Sequence, residues 1–308
     1  MLPEIPFDDI QIGETYGPVE LLMDEKLVKQ YCEDHDDYNP IYLTDSPFGG
    51  PVVPISYKAS LQCQWAMGTK YDLHTTIPAR SEQEYLNPAR VGSTLKTTAR
   101  LNTKYLKRGL EYMVLESQTV DQNGVRVRHG LEHILVGLKK RHGQATEGYD
   151  AVRDYVFQKN YLPDGKVFTV KGNLSIGSEI PSLTKVAWQR ALHEKTFLSD
   201  SIHDDKYTHS HGYAGPLVSG YILNEYMSQL LLDFFGPYWL KGGIISQDFI
   251  NGGVQEGDRL VCHGRIIGMS EEAAGIRLNL DIWMEKGPGT KILVGKASGL
   301  VRKTLNYF

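Results

Sequence analysis

Cysteine is scarce. Cys32, Cys63 and Cys262 are the only three in 308 residues, widely spaced and odd in number. That excludes a disulfide framework and offers no zinc-ligand spacing, so the thiols read as reduced ones in a cytoplasmic protein. Lysine and arginine never form a block, and the net charge is −4, so a nucleic-acid partner lacks electrostatic support. No apolar run is long and charge-free enough to span a bilayer. The longest, 217–235, is interrupted by Asn224, Glu225 and Asp233. The opening MLPEIPFDDIQIG has acids and prolines where a signal peptide has a basic flank and an apolar stretch. What remains is a composition 41% hydrophobic and 23% charged, that of a soluble globular chain with room for two cores.

The sequence also repeats itself. Phe48-Gly49-Gly50-Pro51 recurs as Tyr213-Ala214-Gly215-Pro216, 165 positions later. Ile12-Gly13-Glu14 recurs as Ile176-Gly177-Ser178 at an offset of 164. Val91-Gly92-Ser93-Thr94-Leu95 recurs as Glu256-Gly257-Asp258-Arg259-Leu260, again at 165. Three landmarks in one order at one period mark an internal duplication.

Within that repeat, Asp37-Tyr38-Asn39-Pro40-Ile41-Tyr42 followed by Gly49-Gly50-Pro51 resembles the MaoC-like dehydratases, or R-specific enoyl-CoA hydratases. Their signature is Asp-x-Asn-Pro-[Ile/Leu]-His. The first half keeps Asp37, Asn39, Pro40 and Ile41 and has Tyr42 at the histidine position. The second half keeps Ile202 and His203, with Leu198, Asp200 and Ser201 at the aspartate, asparagine and proline positions. The resemblance implies an α+β chain of two tandem hotdog domains, each a long helix wrapped by antiparallel sheet, forming an internal pseudo-dimer. The expected bounds are 1–142 for the first, 143–170 for a linker and 171–308 for the second. It also implies an acyl-CoA or acyl-carrier thioester at the junction of the halves, no cofactor or metal, and compatibility with a homodimer of such chains.

Periodicity supplies the elements. Helical spacing runs over 24–34, 53–67, 185–197 and from Leu217 or Val218 to Phe235. The second of these carries Lys58, Gln62 and Gln64, polar for a central helix. Alternating or β-branched stretches predict strands at 75–85, 94–101, 111–121 and 126–139, then 244–250, 259–268, 275–285 and 292–302. Glu132 and His133 read as an outward charged pair on a strand.

Hydrating a 2-enoyl thioester needs a base for water, an acid for the α-carbon and donors for the enolate oxygen. A histidine suits the first, and backbone N–H groups at a helix start suit the last. The favoured catalytic pair is His203 with Asp200, and Asp37 and Asn39 form the second candidate pair. Ser219 and Gly220 match the family's oxyanion segment, whereas Pro54 stands there in the first half with no N–H to donate. Tyr42 and Tyr213 are candidate substrate-wall residues. Three bland readings stay open. His203 is a relic in a silent thioester binder, Asp37 and Asn39 form an Asx turn, and Tyr42 fills the vacated site. A dehydratase or isomerase on a polyketide- or steroid-type thioester is a further alternative. His203, Asp204, Asp205, His209 and His211 make only a weak metal pattern, and Lys104, Lys107 and Arg108 a basic spot that could meet CoA phosphates.

Overall fold

The computed structural model describes residues 3–56, 66–73, 76–136, 174–187, 203, 209, 215–251 and 253–302. In chain order these form β1 (Thr15–Leu22), α1 (Glu25–His35), the single turn α2 (Pro40–Leu43), β2 (Ile77–Tyr85), β3 (Thr94–Lys107), β4 (Leu110–Val120) and β5 (Arg126–Leu135). There follow β6 (Leu183–Val186), α3 (Gly220–Phe235), a 3-10 turn (Pro237–Leu240), β7 (Ile244–Phe249), β8 (Arg259–Glu272), β9 (Gly275–Lys286) and β10 (Lys291–Arg302). The strands make one antiparallel sheet in the order β1-β3-β4-β5-β2-β7-β10-β9-β8-β6. The two halves join at its centre, where β2 pairs with β7 from Arg80↔Asp248 to Glu84↔Ile244.

The duplication is written into the register. β3, β4 and β5 begin at Thr94, Leu110 and Arg126, and β8, β9 and β10 begin 165 residues later at Arg259, Gly275 and Lys291. Each long first strand carries a bulge at the same place, between Leu101 and Thr103 in β3 and between Ile266 and Gly268 in β8. Gly13 and Gly177 share a positive φ (90° and 92°), which a glycine adopts without a Cβ clash. Their N–H groups donate to Leu101 and Ile266 carbonyls at 2.7 and 2.8 Å.

In the second half α3 is the wrapped helix. Ile222, Leu223, Tyr226, Met227, Leu230 and Leu231 are buried with Leu260, Cys262, Ile266, Leu278, Leu280, Ile282, Met284, Leu293 and Ala297 from the sheet. Close approach at its end needs Gly299, where a Cβ would stand 2.9 Å from the Phe235 ring. Cys32 and Cys262 are buried free thiols, both pushed up to about 12 by burial, and Cys63 lies outside the described residues.

Several expectations need correction. Residues 15–22 form β1, although the proline-punctuated lead carried no strand pattern. Lys185 and Val186 end strand β6, where a helix was expected to begin, and 188–197 lie outside the described residues. Residues 53–56 are not helical, and of the expected helix 53–67 only 66 and 67 are described as such, the turn running on to 68. Glu132 and His133 are both 1% exposed, so neither points outward.

Candidate active site

The approach to α3 is held by pairing on both sides of the duplication. Val218 N–H donates to Val254 O at 2.7 Å and Leu217 bridges Gln255, as Val53 N–H donates to Ala89 O at 2.8 Å and Val52 bridges Arg90. Ser219 is extended (φ −61°, ψ 138°) and its side chain accepts from Tyr221 N–H at 3.4 Å, capping the helix that starts at Gly220. A Cβ at Gly220 would meet the Phe249 ring at 3.3 Å and Pro78 at 3.7 Å, so glycine lets the helix start close to the β2–β7 seam.

His203 sits against this start. Its Nδ1 lies 2.6 Å from Leu217 O, a carbonyl that can only accept. The ring proton is therefore on Nδ1 and the neutral ring's lone pair on Nε2. Burial holds its pKa below the usual imidazole range, the carbonyl only partly opposing that. The structure thus brings His203, Ser219 and Gly220 together as a neutral imidazole beside a helix N-terminus. Asp200 and Tyr213 lie outside the described residues.

The first-half motif goes elsewhere. Asp24 caps α1 by accepting from Leu27 N–H at 2.8 Å, and Asp36 closes the helix in the left-handed region at φ 49°. Asp37 Oδ1 accepts from Asn39 N–H and Asn39 Oδ1 from Ile41 N–H, both at 3.3 Å, an Asx turn leading into α2. This loop grips the flank of α3 through a polar stripe at every fourth residue. Asn39 Nδ2 donates to Asp233 Oδ1 and Gln229 Nε2 to Asp36 O, each at 3.4 Å. Tyr31 OH is 3.1 Å from Asp37 Oδ2 and 3.4 Å from Glu225 Oε2. From β6, Lys185 donates to His35 O at 3.0 Å and to Asp36 O. Tyr42 is buried with its ring 5.7 Å from Tyr31, edge to face.

Burial dominates the electrostatics here. Glu225 is raised to about 8, with hydrogen bonds from Ser56 and Tyr31 opposing the rise. Asp37 is raised to about 6 against bonds from Asn39 and Tyr31. Tyr31 OH thus bridges the two carboxyl groups, its proton reaching Asp37 Oδ2 or Glu225 Oε2. Glu225, Tyr31, Gln229, Asp233 and Lys185 were missed by sequence reasoning. The one available signal was the four-residue spacing of polar side chains on an otherwise apolar helix.

Lys104 is not offered to a ligand, since its Nζ donates to Phe7, Asp8 and Ile10 carbonyls at 2.7, 2.8 and 3.0 Å. Among the described residues no group of three His, Cys, Asp or Glu could hold a metal ion, and no helix is long and apolar enough to cross a membrane.

A family model described as the FAS1-like dehydratase domain region matches residues 10–130. No curated protein matches the sequence. A solved structure described as a MaoC-like dehydratase superposes at TM-score 0.72 and 16% identity, over 96% of this chain and 99% of its own. A putative MaoC domain protein dehydratase from Chloroflexus aurantiacus gives 0.71 and 13%, over 99% of both. A conserved hypothetical protein from Mycobacterium tuberculosis, described as having a double hotdog fold, gives 0.68 and 16%, over 96% and 98%. The chain therefore has the double hotdog fold of MaoC-like dehydratases, and its residues 10–130 are similar to the FAS1-like dehydratase region.

Proposed function

We propose that the chain is a cytoplasmic hydro-lyase that adds or removes water at a 2-enoyl or 3-hydroxyacyl thioester of CoA or an acyl carrier. The observation that carries this reading is His203, a neutral imidazole anchored through Nδ1 at the start of α3. The dehydratase match over 10–130 and the fold support it.

In the hydration direction His203 Nε2 takes a proton from water as the oxygen attacks C3 of the enoyl thioester. The electron pair moves through C2 to the thioester oxygen. The helix-start N–H of Gly220 carries partial positive charge and stabilises the enolate. Protonation at C2 by the imidazolium completes the addition and returns His203 to its neutral form.

The test is turnover of 2-enoyl-CoA substrates of short, medium and long chain, followed as loss of the conjugated thioester absorbance. His203→Ala is expected to lower kcat at least ~100-fold, the scale of losing a general base. Unchanged kinetics would remove His203 from the reaction. Asp37→Asn is expected to leave kcat within a few-fold, and a collapse there would move the chemistry to the first half.

A second reading, a silent thioester binder, is favoured by one observation. Asp37 is 1% exposed and engaged by Tyr31 and Asn39, so it is held by protein groups. Binding of enoyl-CoA by calorimetry with no turnover at any chain length would select that reading.

A further inference from the structure

The two halves differ most where the duplication makes them comparable, on the sheet face turned to the core. In the second half Cys262, Ile282, Met284, Leu293 and Ala297 line that floor under α3. Their counterparts 165 residues earlier are Thr97, Ser117, Thr119, Arg128 and Glu132. All five are buried, at 0, 1, 3, 0 and 1% exposure.

Cross-strand pairing assembles these into adjoining rows. Thr97 pairs Thr119, Thr119 pairs Arg128, and Arg128 pairs Tyr85. The next row is Ala99, Ser117, Gly130, Gln83 and, across the seam, Ile245. The third is Leu101, Leu115, Glu132, Ser81 and Gln247. Gly130 in the middle leaves room for the Arg128 guanidinium, since a Cβ there would stand 2.4 Å from Arg128 Nη2. Much of the floor is satisfied internally. Ser81 donates to Glu132 at 2.9 Å, Gln83 donates to Ser81 at 3.0 Å, and Arg128 pairs with Glu132 at 3.6 Å.

Three buried side chains around it are not fully satisfied. Among the described residues Ser117 Oγ and Gln247 Oε1 have no hydrogen-bond partner, and neither Asn224 Oδ1 nor Nδ2 has one. Asn224 is 4% exposed and lies one turn beyond Gly220, on the side of α3 turned to Phe249 and Pro78 at the seam. Buried amides and hydroxyls without partners are costly and rare, and an alkyl chain would leave them so. A neutral oxygen function can both donate and accept there. An anion is disfavoured, because the Arg128 charge is already matched by Glu132.

We propose that the polar floor of the first half, bounded by Ser117, Gln247 and Asn224, receives the distal acyl chain and selects thioesters whose chain carries hydroxyl or keto oxygens. This rests on the hydro-lyase reading and names its substrate class.

The experiment compares 2-enoyl-CoAs of equal length, plain or bearing one hydroxyl or keto group at successive positions from C5. In parallel, binding is measured for saturated S-alkyl-CoA thioethers with and without the same group, which cannot react. A site built around unpaired hydrogen-bonding groups should favour at least one oxygenated member by ~10-fold or more, in kcat/KM and in Kd. Ser117→Ala combined with Gln247→Leu should bring that ratio to within about 3-fold of unity, by losing the oxygenated ligand rather than both. Asn224→Leu is the second variant, should the double change fail to fold. Turnover with an equal or greater preference for plain chains overturns the proposal and leaves the hydro-lyase reading standing. Oxygen-dependent binding with no turnover keeps the floor and removes the hydro-lyase. Binding of neither thioether overturns the proposal.

Discussion

Glu225 shows how far a residue's environment can depart from what its sequence neighbours suggest. An acid inside an apolar run looks like an interruption. In the fold it is 4% exposed, and Tyr31 links it to Asp37 from the other half. Burial raises both carboxyls above their ordinary values, from 4.5 to about 8 for Glu225 and from 3.8 to about 6 for Asp37. The native state therefore holds protons that the unfolded chain releases. The stability this contributes is present below the unfolded values and is lost as pH rises through about 6 and about 8. In thermal melts from about pH 5 to about pH 9 the wild type should lose stability with rising pH, and Glu225→Gln should flatten the upper part of that fall. Parallel curves for the two proteins would show that Glu225 is not the titrating group. His203 differs from Glu225 in having been readable from motif position, since its residue type and its place before a Gly-Pro turn both mark it. The Asp37–Glu225 connection was not readable, because the two lie 188 positions apart with no shared periodicity.

Among the elements, α3 was the most legible, because its apolar positions recur at helical spacing and Gly236-Pro237 follow its end. Its start shifted to Gly220 because Leu217 and Val218 are taken up by pairing with Gln255 and Val254. Leu231 is fully buried in its middle, among the sheet side chains of the second half. Leu231→Ala should cost ~2–5 kcal/mol in urea unfolding, from lost burial plus the cavity left behind. A loss under about 1 kcal/mol would mean that the helix does not seal this core. The central strands were also legible, since alternation and the Asn123-Gly124 turn between β4 and β5 identify them. The edge strands β1 and β6 were not. Each pairs on one side only, β1 with β3 and β6 with β8, and an edge strand needs no full apolar alternation.

At the scale of the molecule, ten strands among the described residues form one sheet, and its integrity depends on the β2–β7 seam. Arg80 ties that seam together. Its Nε donates to Glu82 at 2.7 Å, its Nη2 to Ser246 Oγ at 2.8 Å, and its Nη1 reaches Asp248 at 3.3 Å. Arg80 and Glu82 are almost fully buried. Arg80→Ala leaves Glu82 without its cation and should destabilise the protein by ~3–5 kcal/mol, in a single unfolding transition seen by both fluorescence and circular dichroism. Two separate transitions, with only one shifted, would show that the halves unfold independently of the seam.

The sequence by itself determined the duplication, the hotdog class and most central strands. Each of these rests on local periodicity, turn chemistry or a motif held within a few residues. Tertiary structure alone decided which groups face one another. Tyr31 and Asn39 meet α3 of the opposite half, Lys104 is spent on three backbone carbonyls, and one floor is polar where its duplicate is apolar. The physical reason is that a buried polar group takes its meaning from its partner. Strand order and register bring those partners together across most of the chain.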